Sequence, residues 1–457
     1  MTKKTKIEEF IKKFAHEIKD SNAAIFLGSG LSSSAGYPSW EGLLQEEAKD
    51  IKLDVKKEIN DLPTLAQYIE NVKKRKSLND KIKKTFSNKM EITDTHKILS
   101  SLPITQYWTT NYDSLIEDTF EYRNTKTIVY TDEKNLAQKQ GDAKVFIYKM
   151  HGTYTNPNRA IITKTDYEKY FSTHEMFLAH FKASLSNKTF LFIGYSFSDI
   201  NISYVLSRIK NIYKANRRDH YWIFEKPKQD DNETIDEFKY KKRKYQLFKS
   251  DIIKYGINLI EVISYNEING ILENIRKQVN NKNILISGAI EKESTNYLEV
   301  CDLAEKISKK LIVEGYRIFT GFGKDIGSYV INGAFEGCTT KGYDFNENVK
   351  VFPFPYNANL SDEKRKEQFT KLRSNMIAPT CKMIVLCGQK YDKKNNLIDS
   401  PGVFEEYEIS KNQGNQLVPI LASGGAAKTI AQKENILQFD NLDNLDGLVN
   451  LIISSLT

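Results

Sequence analysis

Ala23-Ala24-Ile25-Phe26-Leu27-Gly28-Ser29-Gly30 decides the fold of the first half of this chain. Five apolar residues bounded by a glycine turn suit a strand buried on both faces, as in a parallel sheet. Upstream, Ile7, Phe10, Ile11, Phe14 and Ile18 recur at helical spacing, so the opening segment reads as an amphipathic helix on a core. Downstream, the strands expected are Gln106 to Thr110, Val145 to Met150, Thr189 to Ile193, Tyr221 to Phe224 and Asn258 to Val262. Charged helical stretches separate them, and strands alternating with helices argue for an α/β fold with a covered parallel sheet. The segment from Trp40 to Ser100 is long, charged and helical in pattern, and is expected to be a helical insertion over that sheet. Around Arg276 to Lys282 the pattern turns polar and loses its period, as a linker does. A second strand–helix series follows: Asn283 to Ser287, Tyr316 to Thr320, Lys350 to Phe354, Lys382 to Cys387 and Leu417 to Leu421. Two Rossmann-like parallel-sheet domains result, residues 1–275 and 283–457.

The bulk composition narrows the function classes. Of the 457 residues 40% are hydrophobic and 28% charged, which fits a globular protein with substantial cores. The apolar runs, such as Thr189 to Ile193, are too short to span a bilayer, and acidic residues follow the basic N-terminus where a signal peptide would be apolar. A cytoplasmic protein without a membrane partner is expected. The net charge of +8 comes from 67 basic and 59 acidic side chains that are interleaved. The densest basic run, Lys239 to Lys244, reads as a solvated helix face, so nucleic acid is not the expected partner. The four cysteines (Cys301, Cys338, Cys381 and Cys387) form no CxxC pair, so buried free thiols are expected and no metal site.

Four pieces of the first half sit directly after strands. Gly28-Ser29-Gly30-Leu31-Ser32, followed by Ala35 to Trp40, offers backbone that a pyrophosphate can approach. Thr109-Thr110-Asn111-Tyr112-Asp113 places an amide and a carboxylate at a strand end, fit for a ribose, a carboxamide or a water. His151-Gly152 and Gly194-Tyr195-Ser196 complete the set. In this order the four pieces resemble the sirtuin family, over about residues 10–265, and within it the bacterial defence-associated branch that hydrolyses NAD. The resemblance implies that Gly28, Ser29, Gly30 and Ser32 hold the pyrophosphate and riboses of NAD. It places Asn111 and Asp113 at the nicotinamide and its ribose, His151 beside the reacting sugar, and Gly194 and Ser196 near the adenosine ribose.

The chemistry suits these residue types. Breaking the C1′–N bond produces an oxocarbenium-like sugar and releases neutral nicotinamide, a good leaving group that needs no strong acid. Asn111 is expected to position a water or the ribose, and His151 to act as the base. Protein-deacylating sirtuins carry paired CxxC zinc ligands and an Asp-Phe-Arg segment after the glycine loop. This chain has no cysteine before Cys301 and has Ser39-Trp40-Glu41 there, so hydrolysis is preferred to deacylation.

The second half repeats the strand-then-glycine theme in Ser287-Gly288-Ala289 and in Thr320-Gly321-Phe322-Gly323. Arg373 lies in Phe369 to Asn375, Gly388-Gln389-Lys390 follows a strand, and Pro401 to Glu406 opens a helix. Glycine turns with Arg and Lys nearby make a phosphate pocket. The arrangement resembles SLOG domains, a Rossmann-like family that binds or processes nucleotides. Val403-Phe404 stands where that family has further glycine and threonine, which favours sensing over catalysis. A sirtuin-like domain followed by a SLOG domain resembles the effectors of the Thoeris anti-phage system. That resemblance implies a cyclic ADP-ribose signal made by a TIR-domain partner, and a homotetramer or larger assembly. By motif position Arg373 and Lys390 would meet phosphates, Glu405 a ribose hydroxyl, and Gly288, Gly321 and Gly323 would line the pocket. Three other classes remain open on sequence alone: a deacylase, a non-catalytic nucleotide-binding assembly module, and a nucleic-acid-triggered effector.

Overall fold

A computed structural model describes residues 3–59, 61–137, 141–195, 218–231, 233–355, 359–392 and 394–456. The chain separates into two compact units, Met1–Arg276 and Lys277–Thr457. The first is built on a seven-stranded sheet: β1 (Ala23–Leu27), β2 (Gln106–Thr109), β3 (Thr127–Tyr130), β4 (Val145–Lys149), β5 (Thr189–Ile193), β6 (His220–Glu225) and β7 (Ile257–Val262). The order is β3-β4-β2-β1-β5-β6-β7, and every pairing is parallel. From β1 the chain winds outward through β2, then returns to the other side of β1 with β5. Ligand crevices of open α/β sheets form where the winding reverses, at the carboxyl ends of the strands.

β1 and β5 are buried at all five positions each, as their unbroken apolar runs predict. One face of the sheet carries an aromatic layer in which Trp108 stacks on Tyr148 at 4.2 Å and Tyr148 on Tyr130 at 4.8 Å. The opening helix, Lys3–Lys19, buries Phe10, Phe14 and Ile18. Between β1 and β2 lie the inserted helices Trp40–Asp50, Leu62–Phe86 and Asp94–Ser101. Their starts are capped by Ser39, Asp61 and Thr93, each accepting a backbone N–H of the first turn.

The second unit holds a five-stranded parallel sheet of order β10-β9-β8-β11-β14. Its strands are β8 (Asn283–Ala289), β9 (Arg317–Thr320), β10 (Val349–Val351), β11 (Lys382–Cys387) and β14 (Gln416–Pro419). A two-stranded ribbon, β12 (Gln389–Tyr391) and β13 (Leu397–Asp399), follows β11.

The sequence pattern differs from this fold in four places. β3, Thr127-Ile128-Val129-Tyr130, and the ribbon, with three residues in each strand, are too short to announce themselves. The strand expected over Lys350 to Phe354 is limited to Val349–Val351. The segment expected as a linker begins inside a helix, Glu267–Val279, whose buried stripe of Ile268, Ile271, Leu272 and Ile275 extends to Arg276. Arg276 is buried with its Nε donating to Glu273 at 2.8 Å, so a polar letter there marks an ion pair. The basic run Lys239 to Lys244 is mostly exposed on the helix Ile235–Ile253, and all four cysteines are buried free thiols. Among the described residues no helix is long and apolar enough to cross a membrane.

Gly28 lies where a Cβ would come within 2.2 Å of the carbonyl oxygen of Gly194. Gly28→Ala is expected to cost about 1–3 kcal/mol, as overpacking does. The check is the urea unfolding midpoint, and an unchanged midpoint would mean that the two turns tolerate separation.

Candidate functional site

Three loops leave the carboxyl ends of β1, β2 and β4 and meet over the sheet. After β1 the chain turns into the short helix Ser29–Ser34, which carries Ser32. After β2 the loop to the helix Leu115–Tyr122 carries Asn111 and Asp113. The Asn111 N–H donates to Thr109 Oγ1 at 2.9 Å, and Asp113 Oδ1 accepts the Leu115 N–H at 3.0 Å, so the loop is braced at both ends. Ser32 Oγ donates to Asp113 Oδ2 at 2.7 Å and accepts from Asn111 Nδ2 at 2.9 Å. That leaves Asn111 Oδ1 buried with no hydrogen-bond partner among the described residues. His151 follows β4 and is buried, its ring edge-on to Tyr167 at 5.4 Å.

These side chains line one cavity of about 110 Å³, with Trp40 and Tyr167 forming an aromatic wall at 6.2 Å and 18°. A wider groove of about 840 Å³ shares Ser29 and Tyr195 with it and continues past Gly30, Gly194 and Tyr265. The sequence thus places Ser29, Ser32, Asn111, Asp113 and His151 at one cavity. Ser196 lies outside the described residues.

The glycines hold a different position from the one expected of them. The Gly28 N–H donates to Ile193 O at 2.9 Å and the Gly30 N–H to Gly194 O at 2.8 Å. The first amide is spent on the last residue of β5 and the second on the turn after it, so neither is free to donate to a pyrophosphate. What requires glycine is the close approach of the two backbones: Gly194 has φ +63°, and a Cβ on it would lie 2.5 Å from Leu31 N.

In the second unit the same economy recurs. A Cβ on Gly288 would lie 2.1 Å from Leu386 O, and one on Gly323 would lie 1.9 Å from Gly288 O. Gly321 faces Phe354, whose ring carbon would be 2.9 Å from an added Cβ. Arg373, on the helix Asp362–Ile377, is buried, with its guanidinium over the Phe354 ring at 4.7 Å. It donates to Glu405 Oε2 at 2.8 Å and lies 3.5 Å from Glu406 Oε1. Thr370 holds the other oxygen of Glu405, and Ser287 Oγ donates to Glu406 Oε2 at 2.6 Å. Burial pushes the Glu406 carboxyl up, against the Ser287 hydrogen bond and the Arg373 charge. Arg373 and Glu405, expected as separate ligand contacts, are therefore partners of each other. Lys390 stands apart, exposed on the β12–β13 ribbon.

Comparison with known proteins agrees with this two-unit geometry. A family model described as a SIR2-like domain matches residues 105–246, and one described as the Sir2- and TIR-associating SLOG family matches residues 267–453. NAD(+) hydrolase ThsA of Bacillus cereus (strain MSX-D12) is 40% identical over 433 residues, which cover 94% of this chain and 90% of that protein. NAD(+) hydrolase ThsA of Enterococcus faecium is 36% identical over 435 residues, covering 93% and 89%. Defense-associated sirtuin 2 of Bacillus subtilis is 23% identical over 235 residues, 50% of this chain and 23% of that one. The chain belongs to the ThsA family.

For this ThsA-family chain, the motifs bring together the five cavity residues named as site residues. Trp40 and Tyr195 lie within the quoted motifs without a role assigned to them, and Leu43, Phe86 and Tyr167 lie outside every motif. Among the described residues no group of three or more His, Cys, Asp or Glu is placed to hold a metal.

Beneath Ser32 and Asp113 sits His96, which is 2% exposed and shares a small internal cavity with them. Burial pushes its pKa down to about 4, with the Asp113 charge opposing the shift. The folded protein keeps His96 neutral, whereas the unfolded chain protonates it below about 6.5. Stability contributed by the neutral ring is therefore complete above about pH 6.5 and is lost as pH falls to about 4, by about 3 kcal/mol in all. Denaturant midpoints measured between those pH values should fall, and His96→Gln should flatten the dependence. An equal slope in the variant would place the acid sensitivity elsewhere.

Proposed function

We propose that this chain hydrolyses NAD to ADP-ribose and nicotinamide in the first unit, under control of a cyclic ADP-ribose-type signal bound by the second. The observation that carries the reading is the convergence of Asn111, Ser32, Asp113 and His151 on one cavity that opens into a longer groove. The cavity takes the nicotinamide end and the groove the adenosine end. The name of the relatives, NAD(+) hydrolase, gives the reaction.

The chemistry follows from the hydrogen bonds. Ser32 donates to Asp113 and accepts from Asn111, so the amide's orientation is fixed and its oxygen points to an unfilled role. That oxygen accepts a hydrogen bond from a ribose hydroxyl or from the attacking water. As the C1′–N bond breaks, positive charge moves from the pyridinium to the sugar, and the fixed Asp113 carboxylate favours it there. His151 takes the proton of the attacking hydroxyl or water, and nicotinamide leaves as a neutral molecule. No metal enters any of these steps.

In the second unit the signal's phosphates meet Arg373 and Lys390, and its ribose meets Glu405 once Arg373 has turned to phosphate. Gly288, Gly321 and Gly323 let the backbone approach. On this reading the chain acts in the cytoplasm as a homo-oligomer, takes its signal from a TIR-domain partner, and depletes NAD during anti-phage defence.

Two measurements test the proposal. His151→Ala and Asn111→Ala should each lower nicotinamide release by on the order of 10²–10⁴-fold, with the variants folded by circular dichroism. A wild-type rate in either would remove that residue from the chemistry. Titrating stimulated turnover with a cyclic ADP-ribose isomer tests the sensor. Lys390→Ala, a change at an exposed side chain, should raise the half-activating concentration by about tenfold or more, the worth of one charge-assisted hydrogen bond. An unchanged midpoint would take Lys390 out of the signal site.

A further inference from the structure

Lys149 ends β4, two residues before His151, with its side chain 1% exposed. It interrupts an apolar strand, Val145-Phe146-Ile147-Tyr148-Lys149-Met150, at a place where burying an ammonium is costly. Its Nζ donates to two acceptors: the backbone carbonyl of Asp113 and Glu117 Oε1, the latter at 2.8 Å. Glu117 belongs to the first turn of the helix that follows the Asn111–Asp113 loop. Its second oxygen, Oε2, is buried without a hydrogen-bond partner among the described residues. Burial pushes the Glu117 carboxyl up and Lys149 pulls it back, so the carboxylate depends on the ammonium.

Buried ion pairs contribute little net stability, since apolar residues of similar volume usually replace them at no loss. A pair kept in such a position needs another reason, and its contacts supply one. Lys149 is the last residue of the strand that carries His151, and the carbonyl it binds belongs to the residue that fixes Ser32 and, through it, Asn111. The register agrees: Thr109, at the end of β2, pairs with Lys149, and Met150 N–H donates to Thr109 O at 2.8 Å. Beyond that bond the two chains diverge, one toward Asn111 and the other toward His151. The Tyr154 N–H ties them again by donating to Tyr112 O at 3.1 Å, and the ammonium ties them at Asp113, the residue that holds Ser32.

We infer that Lys149 is a positioning residue for NAD cleavage: with Glu117 it sets the Asn111–Asp113 loop against the strand end that bears His151. The inference rests on the hydrolase reading. Lys149 reaches the reaction only through Asp113, Ser32 and Asn111, and its loss shifts their placement.

The test replaces the whole pair, so that no charge is left buried alone. In full-length protein, Lys149→Met with Glu117→Leu should keep the thermal midpoint and the ADP-ribose binding stoichiometry of the wild type. Its kcat for NAD, per ADP-ribose site counted by calorimetry, should fall by about 10- to 100-fold, with KM changed far less. Lys149→Arg, which restores both donors, should recover part of that loss. A double variant with wild-type kcat per site overturns the inference. So does a fall in activity that only tracks a fall in folded sites, because the pair would then be structural. If the wild-type protein cleaves no NAD with or without a signal, the hydrolase reading fails first. The pair's role is then read from ADP-ribose affinity, where an equal Kd for wild type and double variant overturns it.

Discussion

The turn after β1 lies with its backbone directly against the turn after β5, and the first unit is arranged around that contact. Gly30 donates to Gly194 across it, and no side chain fits at Gly28 or Gly194. β1 and β5 are the neighbouring strands between which the winding reverses. Drawing their exits together closes the crevice on that side. The β2 and β4 loops, which carry Asn111, Asp113 and His151, bound the other side. The short helix Ser29–Ser34 is thereby fixed in direction, and Ser32 falls between Asp113 and Asn111. A glycine pattern that reads as a phosphate cradle is here first a packing device, since steric exclusion at about 2 Å leaves no room for any Cβ.

The second unit uses the same device with different strands. Gly288 approaches Leu386 at the end of β11, and Gly323 approaches Gly288. Around them Phe322 and Cys387, neither of them glycine, hold positive φ of 54° and 51°. Such conformations persist only where surrounding contacts fix them. They lie at the carboxyl ends of β9 and β11, on either side of β8, the middle strand of the sheet. Both units thus place constrained backbone at the carboxyl ends of their strands.

Much of this was legible in the sequence because burial on both faces leaves an unbroken apolar run, and a run that ends in glycine marks a strand exit. That signal found β1 and β5, and shorter apolar runs found β2 and β4, and with them Ser32, Asn111, Asp113 and His151. It misses β3, whose residues are mostly half-buried, and the β12–β13 ribbon, which has almost no core face. Nor does it show what a polar residue is paired with. Arg276 read as linker and proved a buried ion pair, and Arg373 read as a free phosphate contact and proved bound to Glu405. Lys149 was visible as a charge inside a buried strand, but its acceptors come from a segment more than thirty residues away. Partners distant in sequence leave no period to detect.

The pairing of Arg373 with Glu405 bears on how a sensor in the second unit would work. A free arginine would bind any phosphate and would discriminate poorly among the cell's nucleotides. Held by Glu405 and stacked on Phe354, the guanidinium gives up one anion to accept another, so a lone phosphate gains little. A ligand that also offers a hydroxyl to the released Glu405 recovers what the exchange costs, and only that ligand makes both contacts. Glu406, fixed by Ser287, lies 3.5 Å from the guanidinium and would remain beside it after the exchange. Switching a population from 1:99 to 99:1 takes about 5.5 kcal/mol of differential binding. In a sensor, an exchange of partners would provide it more selectively than an open cation, because the resting arrangement is itself an ion pair that an incomplete ligand would not displace.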